Sequence, residues 1–126
     1  MGGMETISIL QKAKHLPQTL VLQPMHNQYD LRAYLCKDYH IDLDVMFQSQ
    51  GKRYDLIVAT RGSDNLDELQ LEFGKTNLIN PPATFIEMLK ERRTLYSKVI
   101  VCSQHPMLLK KLNTVIELLT KFQGEK

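Results

Sequence analysis

The sequence predicts an α/β fold: the closing half of a doubly wound sheet, followed by an antiparallel helical hairpin. Three observations predict it. A short apolar run at residues 19–23 is typical of a parallel strand buried on both faces. Residues 41–47 alternate between apolar and polar, and a second strand returns over 54–60 to complete an antiparallel hairpin. Two later segments repeat apolar residues at helical spacing.

The composition is that of one modest domain, or of a small domain with an appendage. The chain has 126 residues, of which 43% are hydrophobic and 24% are charged. No apolar run approaches the roughly 20 residues of a membrane helix. Cys36 and Cys102 offer neither a disulfide framework nor a metal-ligand spacing, and the four histidines are scattered. We therefore expect no metal and a cytoplasmic protein without a membrane segment.

The charge is distributed unevenly along the chain. Residues 1–74 carry a net charge of −3, and residues 75–126 carry +5. A basic tail on an acidic body favours a polyanionic partner. The alternative is a solvated helical surface with no such partner.

The first three elements are predicted as helix, strand and helix. Apolar residues recur every three positions over 3–16, which indicates a helix. The strand at 19–23 ends because Pro24 has no backbone donor. Asn27 is predicted to cap the next helix, with Asp30 completing an approximate capping box. On that helix the apolar face comprises Leu31, Tyr34 and Leu35, with Arg32 and Lys37 lying away from it.

The alternating segment is predicted to be a half-buried strand with two chemically different faces. One face would carry Ile41, Leu43, Val45 and Phe47, and the other Asp42, Asp44 and Met46. Gly51 lies in the loop that connects it to the returning strand.

A polar loop at residues 61–65 is the predicted domain boundary. We assign residues 1–62 to the half sheet and residues 63–126 to a helical, coiled-coil-like domain. The segment 69–73 is ambiguous and is left unassigned. A long helix is predicted from Asn80, and a second from Pro106 to just before Gly124. The predicted apolar seam of the long helix comprises Phe85, Leu89, Tyr96 and Val99.

Gln23 lies where ligands of open α/β sheets bind, just beyond the carboxyl end of a strand. The alternative is an ordinary strand end, which the spacing alone favours. From position alone, both interpretations stay open.

Four short motifs occur in one order along the chain. They are Met1-Gly2-Gly3, Leu20-Val21-Leu22-Gln23-Pro24, Leu31-Arg32-Ala33-Tyr34-Leu35 and Gly51-Lys52-Arg53-Tyr54-Asp55. This order resembles the bacterial tRNA adenine-N1 methyltransferases, which depend on S-adenosylmethionine. In that family a Gly-Met-Gly-Gly turn follows the fourth strand of a Rossmann-like class I methyltransferase sheet. A Leu-Gln-Pro ends the fifth strand, a Gly-Lys-x-Tyr-Glu hairpin leads into the last, and a helical domain follows.

The resemblance implies roles for particular residues. Gln23 and Pro24 would be the catalytic residues, with Gln23 bonding the adenine edge and Pro24 fixing the wall beside it. Met1, Gly2 and Gly3 would bind the cofactor, because glycine has no Cβ to obstruct close approach. The alternative for these three is a start codon or cloning scar with a flexible end. Phosphate contacts to tRNA would come from the helical tail, through Lys90, Arg92, Arg93, Lys110 and Lys111.

The chain departs from the family pattern in four respects, one of which is a helical tail shorter than expected. Asp55 stands where Glu is usual, and Met25 stands where some members carry Asn. The resemblance covers only the C-terminal half of the family, so the Asp-x-Gly loop and the acidic ribose-binding residue have no counterpart here. We therefore expect this polypeptide alone to bind S-adenosylmethionine weakly and to act with the missing N-terminal half. The alternative is a non-enzymatic module that binds tRNA or a protein partner.

Overall fold

The computed structural model describes residues 2–103 and 105–124. Three strands and six helices follow one another in these residues. The elements are α1 (Gly3–Lys12), β1 (Thr19–Leu22), α2 (Gln28–Leu35), β2 (Tyr39–Ser49), β3 (Lys52–Arg61), α3 (Glu68–Phe73), α4 (Lys75–Ile79), α5 (Ala83–Cys102) and α6 (Pro106–Gln123).

The three strands form one sheet in the order β1-β3-β2, in which β3 runs antiparallel to both neighbours. β1 and β2 therefore run in the same direction with β3 between them. This is the end of a doubly wound sheet with a reversed last strand, so the predicted α/β fold is confirmed.

The predicted burial of β1 on both faces is wrong. Leu20 packs into the core, whereas Val21 is 67% exposed. Successive side chains of a strand point to opposite faces. The core cluster around Leu20 is built from α1, α2 and one face of the sheet, and it includes Ile7, Leu10, Leu31, Leu35, Ile41, Ile57 and Ala59.

A β-bulge at Asp42 divides the alternating segment. Ile41 pairs with Ala59 and Leu43 pairs with Val58, so Asp42 has no residue opposite it on β3. One extra residue reverses the facing of everything after it. Ile41 therefore faces the core while Leu43 faces away, and the predicted common face of Ile41, Leu43, Val45 and Phe47 is wrong.

The same bulge turns Asp44 into the core, where it is fully buried. Arg32, predicted to lie away from the apolar face of α2, is buried beside it and is 1% exposed. The guanidinium Nε of Arg32 donates to Asp44 Oδ2 at 2.6 Å. Burying a charge is costly unless an opposite charge lies beside it, and Arg32 and Asp44 each provide that opposite charge for the other.

Two short helices lie between the hairpin and the second unit: α3 packs against α2, and α4 packs against β2. Asp67 and Gln70 form a capping box at the start of α3. In α4, Thr76 Oγ1 accepts from the amide of Asp44 and Asn77 Oδ1 accepts from the amide of Met46. These bonds satisfy the outward amides of an edge strand.

The chain divides into two compact units, residues Met1–Pro82 and Ala83–Lys126. The compact units thus divide after Pro82, whereas the sequence placed the domain boundary at 62–63. The assignment of 1–62 and 63–126 as domains stays a prediction.

The second unit is an antiparallel pair of long helices. Phe85 and Phe122 meet edge to face, with ring centroids 6.2 Å apart. The predicted start of α6 at Pro106 and its end before Gly124, which is left-handed at φ 64°, are confirmed. The long helix begins at Ala83 rather than at Asn80. Val99 is 40% exposed, so the buried seam of α5 ends before it.

Two helix predictions in the first unit need correction. α1 ends at Lys12, four residues earlier than predicted. Asn27 precedes α2 but is left-handed, with φ 59°, and its side chain makes no capping hydrogen bond. The predicted box with Asp30 is therefore wrong. Among the residues that the structure describes, no helix has both the length and the apolar character needed to cross a membrane.

Candidate active site at the carboxyl end of strand β1

A cavity of about 390 Å³ lies where β1 ends. Its lining comprises Thr6 from α1, Val21 and Leu22 from β1, and Gln23 and Met25 from the loop that follows. Ligand pockets are usually about 300–1,000 Å³, so this space is at the small end of that range. Gln23 therefore lies at a cavity, and its predicted catalytic role there stays a prediction.

The first turn of α1 and the loop after β1 are joined by backbone hydrogen bonding. The amide of Gly3 donates to the carbonyl of His26 at 2.7 Å. Thr6 Oγ1 donates to the carbonyl of Gly2 at 3.1 Å, which holds this turn from inside. The structure thus brings Gly2 and Gly3 against the loop that carries Gln23 and Pro24. Met1 lies outside the described residues.

Both glycines are buried, and neighbouring atoms fill the space where a side chain would start. A Cβ on Gly2 would lie 2.5 Å from His26 Nε2, and a Cβ on Gly3 would lie 2.4 Å from the carbonyl oxygen of Asn27. On this side the glycines permit close packing of the chain on itself. Their predicted role beside a cofactor stays a prediction.

The loop after β1 is fixed at both ends. Pro24 is buried while Gln23 is exposed, so the proline forms a wall and the amide points to solvent-accessible space. At the far end, Gln28 Nε2 donates to Asp55 Oδ2 on β3 at 3.0 Å. A loop held in this way can present the Gln23 amide in a defined position.

Among the described residues that line the cavity, none has an ionisable side chain, since they are threonine, valine, leucine, glutamine and methionine. Three of the five are apolar, which suits the flat face of a base. The carboxamide of Gln23 can both donate and accept hydrogen bonds. This arrangement can position a neutral heterocycle and exclude water from it, without supplying an acid or a base.

Sequence reasoning missed Thr6 and His26. Thr6 follows Gly2 by four residues, which places it one helical turn above the glycine pair. His26 follows Pro24 closely in the chain, and its ring fills the space beside Gly2. The signal available was the pair Gly2-Gly3 itself, because adjacent buried glycines require a close neighbour.

The five basic residues predicted to contact RNA lie in the second unit. Lys90, Arg92 and Arg93 belong to α5, and Lys110 and Lys111 belong to α6. The three lysines are exposed and the two arginines are half-buried. Of this group, only Lys90 lines a shallow hollow of about 340 Å³ on α5, together with Glu91, Thr94, Leu95 and Lys98. Their contact with RNA stays a prediction.

Within residues 2–103 and 105–124, no group of three or more His, Cys, Asp and Glu side chains could hold a metal ion.

The family described as "TrmK: tRNA (adenine(22)-N(1))-methyltransferase" matches residues 1–123. The chain belongs to this family. The resemblance inferred from the four short motifs is thereby confirmed, because the match extends over the strand, the hairpin and both long helices.

Solved structures show the same fold. A Streptococcus agalactiae protein described as belonging to the NADB-Rossmann superfamily is 28% identical, with a TM-score of 0.81 over 94% of this chain. A Streptococcus pneumoniae putative tRNA (m1A22) methyltransferase in complex with S-adenosyl-L-methionine is 23% identical, with a TM-score of 0.82 over 94% of this chain. The TrmK of M. capricolum in complex with S-adenosyl-homocysteine is 20% identical, with a TM-score of 0.74 over 96% of this chain. None of the curated proteins matches the chain.

The chain spans little more than half the length of these solved structures. It covers 56% of the Streptococcus agalactiae protein, 56% of the Streptococcus pneumoniae complex and 55% of the M. capricolum protein. The predicted likeness to half of a Rossmann-like methyltransferase is confirmed at the level of the fold.

Proposed function

We propose that this chain supplies the substrate-side half of an S-adenosylmethionine-dependent methyltransferase that modifies N1 of adenine 22 in tRNA. The observation that carries the proposal is the cavity at the end of β1. It combines one exposed carboxamide, Gln23, with apolar walls and the buried first turn of α1. It lies in a chain whose residues 1–123 match a family of that description.

Methyl transfer to adenine N1 requires little acid or base catalysis from the protein. The cofactor, when bound, supplies an electrophilic methyl group on a sulfonium centre. The N1 lone pair of adenine forms the new carbon–nitrogen bond while the sulfur takes the electron pair of the broken bond. Neutral adenine is already a nucleophile, so alignment and exclusion of water suffice. A cavity lined by uncharged side chains fits that requirement.

Gln23 and Pro24 take the substrate side of the reaction. The Gln23 amide hydrogen-bonds the edge of an adenine that has left its stack. Pro24, buried at the base of the loop, fixes the wall against which the ring lies. Val21, Leu22 and Met25 contact the ring faces and remove water from them.

Met1, Gly2 and Gly3 take the cofactor side. The His26 ring closes the space beside Gly2, and the backbone of Asn27 closes the space beside Gly3, so the two glycines contribute only their own backbone. That backbone suits one wall of a cofactor site and does not form the whole of it. We therefore expect residues 1–126 alone to bind S-adenosylmethionine weakly.

The remaining roles concern partners. The missing N-terminal half provides the rest of the cofactor site, and tRNA is the substrate. Lys90, Arg92, Arg93, Lys110 and Lys111 contact phosphates, which positions tRNA without reading its sequence. A tRNA-modifying enzyme of this kind works in the cytoplasm.

Methyl transfer from radiolabelled S-adenosylmethionine tests the proposal directly. The chain is mixed with the complementary region of the Streptococcus agalactiae protein and with a tRNA that carries adenine at position 22. We expect label in 1-methyladenine, and none when position 22 is guanine. Equal labelling of both tRNAs would overturn the assigned position. No labelling in a mixture shown to contain the complex would overturn the activity.

A further inference from the structure

The hairpin formed by β2 and β3 extends beyond the end of β1. The last residue pair that joins β1 to β3 is Leu22 with Ile57. Pairing between β2 and β3 continues for five further positions, as far as Ser49 with Lys52. Residues 45–56 are here called the hairpin arm. At about 3.3 Å per residue, these positions place the tip of the arm roughly 17 Å beyond Ile57.

The hairpin arm projects from the end of the sheet at which the cavity beside Gln23 lies. Because β3 runs antiparallel to β1, the residues that precede Ile57 continue past the carboxyl end of β1. Gln28 Nε2 donates to Asp55 Oδ2 at 3.0 Å, which joins the base of the arm to the segment that follows Gln23. A large substrate that is bound at Gln23 and extends over this end of the sheet would therefore meet the arm.

Two features make the hairpin arm stiff. Its strands are joined by Gln50 and Gly51, whose φ angles are 52° and 77°. Two successive residues with positive φ are typical of the tight turn that matches the right-handed twist of paired strands. Midway along the arm, Phe47 and Tyr54 stack with ring centroids 5.4 Å apart. The arm therefore presents its tip in a defined orientation.

Gln50 is an unusual residue for the conformation that it adopts at the tip. Left-handed backbone favours glycine, and after it asparagine and aspartate, because other side chains are strained there. Gln50 is one of two non-glycine residues with positive φ among those that the structure describes, and it is exposed. Strain of this kind is concentrated at functional sites. The exposed carboxamide on this strained turn therefore points to a role in binding.

The charge of the arm is opposite to that of the body that carries it. Residues 1–74 have a net charge of −3, whereas residues 45–54 contain Lys52 and Arg53 and no acidic side chain. Lys52 is exposed, and so are residues 48–50, which are glutamine, serine and glutamine. Ammonium, carboxamide and hydroxyl groups are typical donors to phosphate and sugar oxygens. The tip therefore suits a polyanion.

We propose that the tip of the hairpin arm binds the sugar–phosphate backbone of the tRNA whose adenine lies at Gln23. The Lys52 ammonium donates to a phosphate oxygen, and the Gln50 carboxamide hydrogen-bonds an adjoining ribose hydroxyl. This contact is additional to those of the helical tail. Since the Gln28–Asp55 bond joins the arm to the segment after Gln23, the contact orients the RNA at the cavity. The inference rests on the proposed function for the identity of the RNA.

Binding of fluorescently labelled tRNA by the full chain tests the inference. The Kd is measured over a series of salt concentrations for the wild type, Lys52→Ala and Lys12→Ala. Lys12 is the matched control, because it is exposed and lies at the far end of α1, roughly 14 Å from Gly3. We expect Lys52→Ala to weaken binding several-fold and to reduce the slope of log K against log salt by about 0.7–0.9. Lys12→Ala should change neither quantity.

Gln50→Gly separates the side chain from the backbone conformation. Glycine adopts a left-handed φ without strain, so the Tm of this variant should equal or exceed that of the wild type. Loss of the carboxamide should nevertheless weaken tRNA binding. Unchanged or tighter binding by Gln50→Gly would remove Gln50 from the contact.

Three results would overturn the inference. They are the absence of tRNA binding by the wild-type chain at low salt, equal binding by the two lysine variants, and a salt slope that Lys52→Ala leaves unchanged. The last two would favour a protein as the partner of the arm.

Methyl transfer in the mixture with the complementary region separates this inference from the proposed function. Lys52→Ala should raise the KM for tRNA and leave the KM for S-adenosylmethionine unchanged. Methyl transfer that is indifferent to Lys52 counts against the arm alone. Binding that depends on Lys52 but leads to no methyl transfer counts against the proposed activity, so the two failures are distinguishable.

Discussion

Arg32 and Asp44 form an ion pair inside the first unit, with Nε donating to Oδ2 and Nη2 donating to Oδ1. Arg32 Nη1 also donates to the carbonyls of Leu71 and Glu72, which follow on α3. Burial raises the pKa of Asp44 above its ordinary value, and the hydrogen bonds and charge of Arg32 oppose that rise. The Arg32 side chain therefore joins α2, β2 and α3, and the Asp44 carboxylate depends on Arg32 for its counter-charge.

Removing one partner of this pair should be strongly destabilising. Arg32→Met leaves Asp44 buried without a counter-charge, and such losses cost about 3–5 kcal/mol. Urea unfolding measures the difference, with Lys12→Met as a control because Lys12 is exposed. Equal free energies of unfolding for the two variants would contradict the assigned role of Arg32.

Gly74 lies against the same carboxylate. A Cβ there would be 2.6 Å from Asp44 Oδ1, and the backbone has a φ of +91°. Gly51 has a similar φ of +77° but open space around it. We expect Gly51→Ala to show only the backbone strain, roughly 1 kcal/mol, and Gly74→Ala to cost at least about 1 kcal/mol more. Thermal unfolding of both variants checks this, and equal shifts in Tm would rule out the steric contact.

The glycine pair at the start of α1 should respond unequally to substitution. In Gly2→Ala the new Cβ meets the exposed His26 ring, which can move aside. In Gly3→Ala it meets the carbonyl of Asn27, which is backbone in a left-handed residue. We expect Gly3→Ala to destabilise the fold by about 1–3 kcal/mol more than Gly2→Ala. The free energies of unfolding of the two variants test this. A larger loss in Gly2→Ala would mean that the backbone at Asn27 moves more easily than the His26 ring.

The stability of the first unit should depend on the ionisation of Asp64. Burial is the largest influence and raises the pKa of Asp64. The bonds from Lys75 and from the amides of Ile41 and Asn65, with the charge of Lys75, outweigh it and lower that pKa. A carboxyl with a lowered folded pKa stabilises the fold above its unfolded pKa of about 4. That stabilisation is lost as the pH falls through the folded value.

We therefore expect the stability advantage of the wild type over Asp64→Asn to be present at pH 7 and to shrink below about pH 4. Lys75 Nζ lies 2.8 Å from Asp64 Oδ2, so Lys75→Met should reduce the same pH dependence. Denaturant titrations from pH 2 to 7 measure both. An advantage that grows on acidification would reverse the assigned direction.

Gln23 should matter for the reaction more than for the fold. It is exposed, so Gln23→Ala should leave the free energy of unfolding within about 0.5 kcal/mol of the wild type. In the complemented enzyme, loss of its hydrogen bond to adenine should lower kcat/KM on the order of 10- to 100-fold. Gln18→Ala, also exposed, is the control. Equal rates for the two variants would remove Gln23 from the site.

The sequence by itself determined the order of the major elements and the family. Apolar runs and alternation of apolar and polar residues specify strands, because the side chains that become buried are already grouped in the local sequence. The two ends of α6 could be predicted from the sequence, because Pro106 and Gly124 act through their own backbone conformations. The Leu-Gln-Pro motif located the end of β1 for the same reason, since Pro24 has no backbone donor wherever the rest of the chain lies.

Only the tertiary structure decided which side chains face which way. The bulge at Asp42 has no local signature, and it moves Asp44 into the core. Arg32 is then buried because Asp44 is, and neither position looks apolar in the sequence. The packing of His26 beside Gly2 likewise joins residues that are distant in the chain. Burying a charge or omitting a Cβ is favourable only when a partner approaches from elsewhere in the fold, and a one-dimensional pattern does not contain that partner.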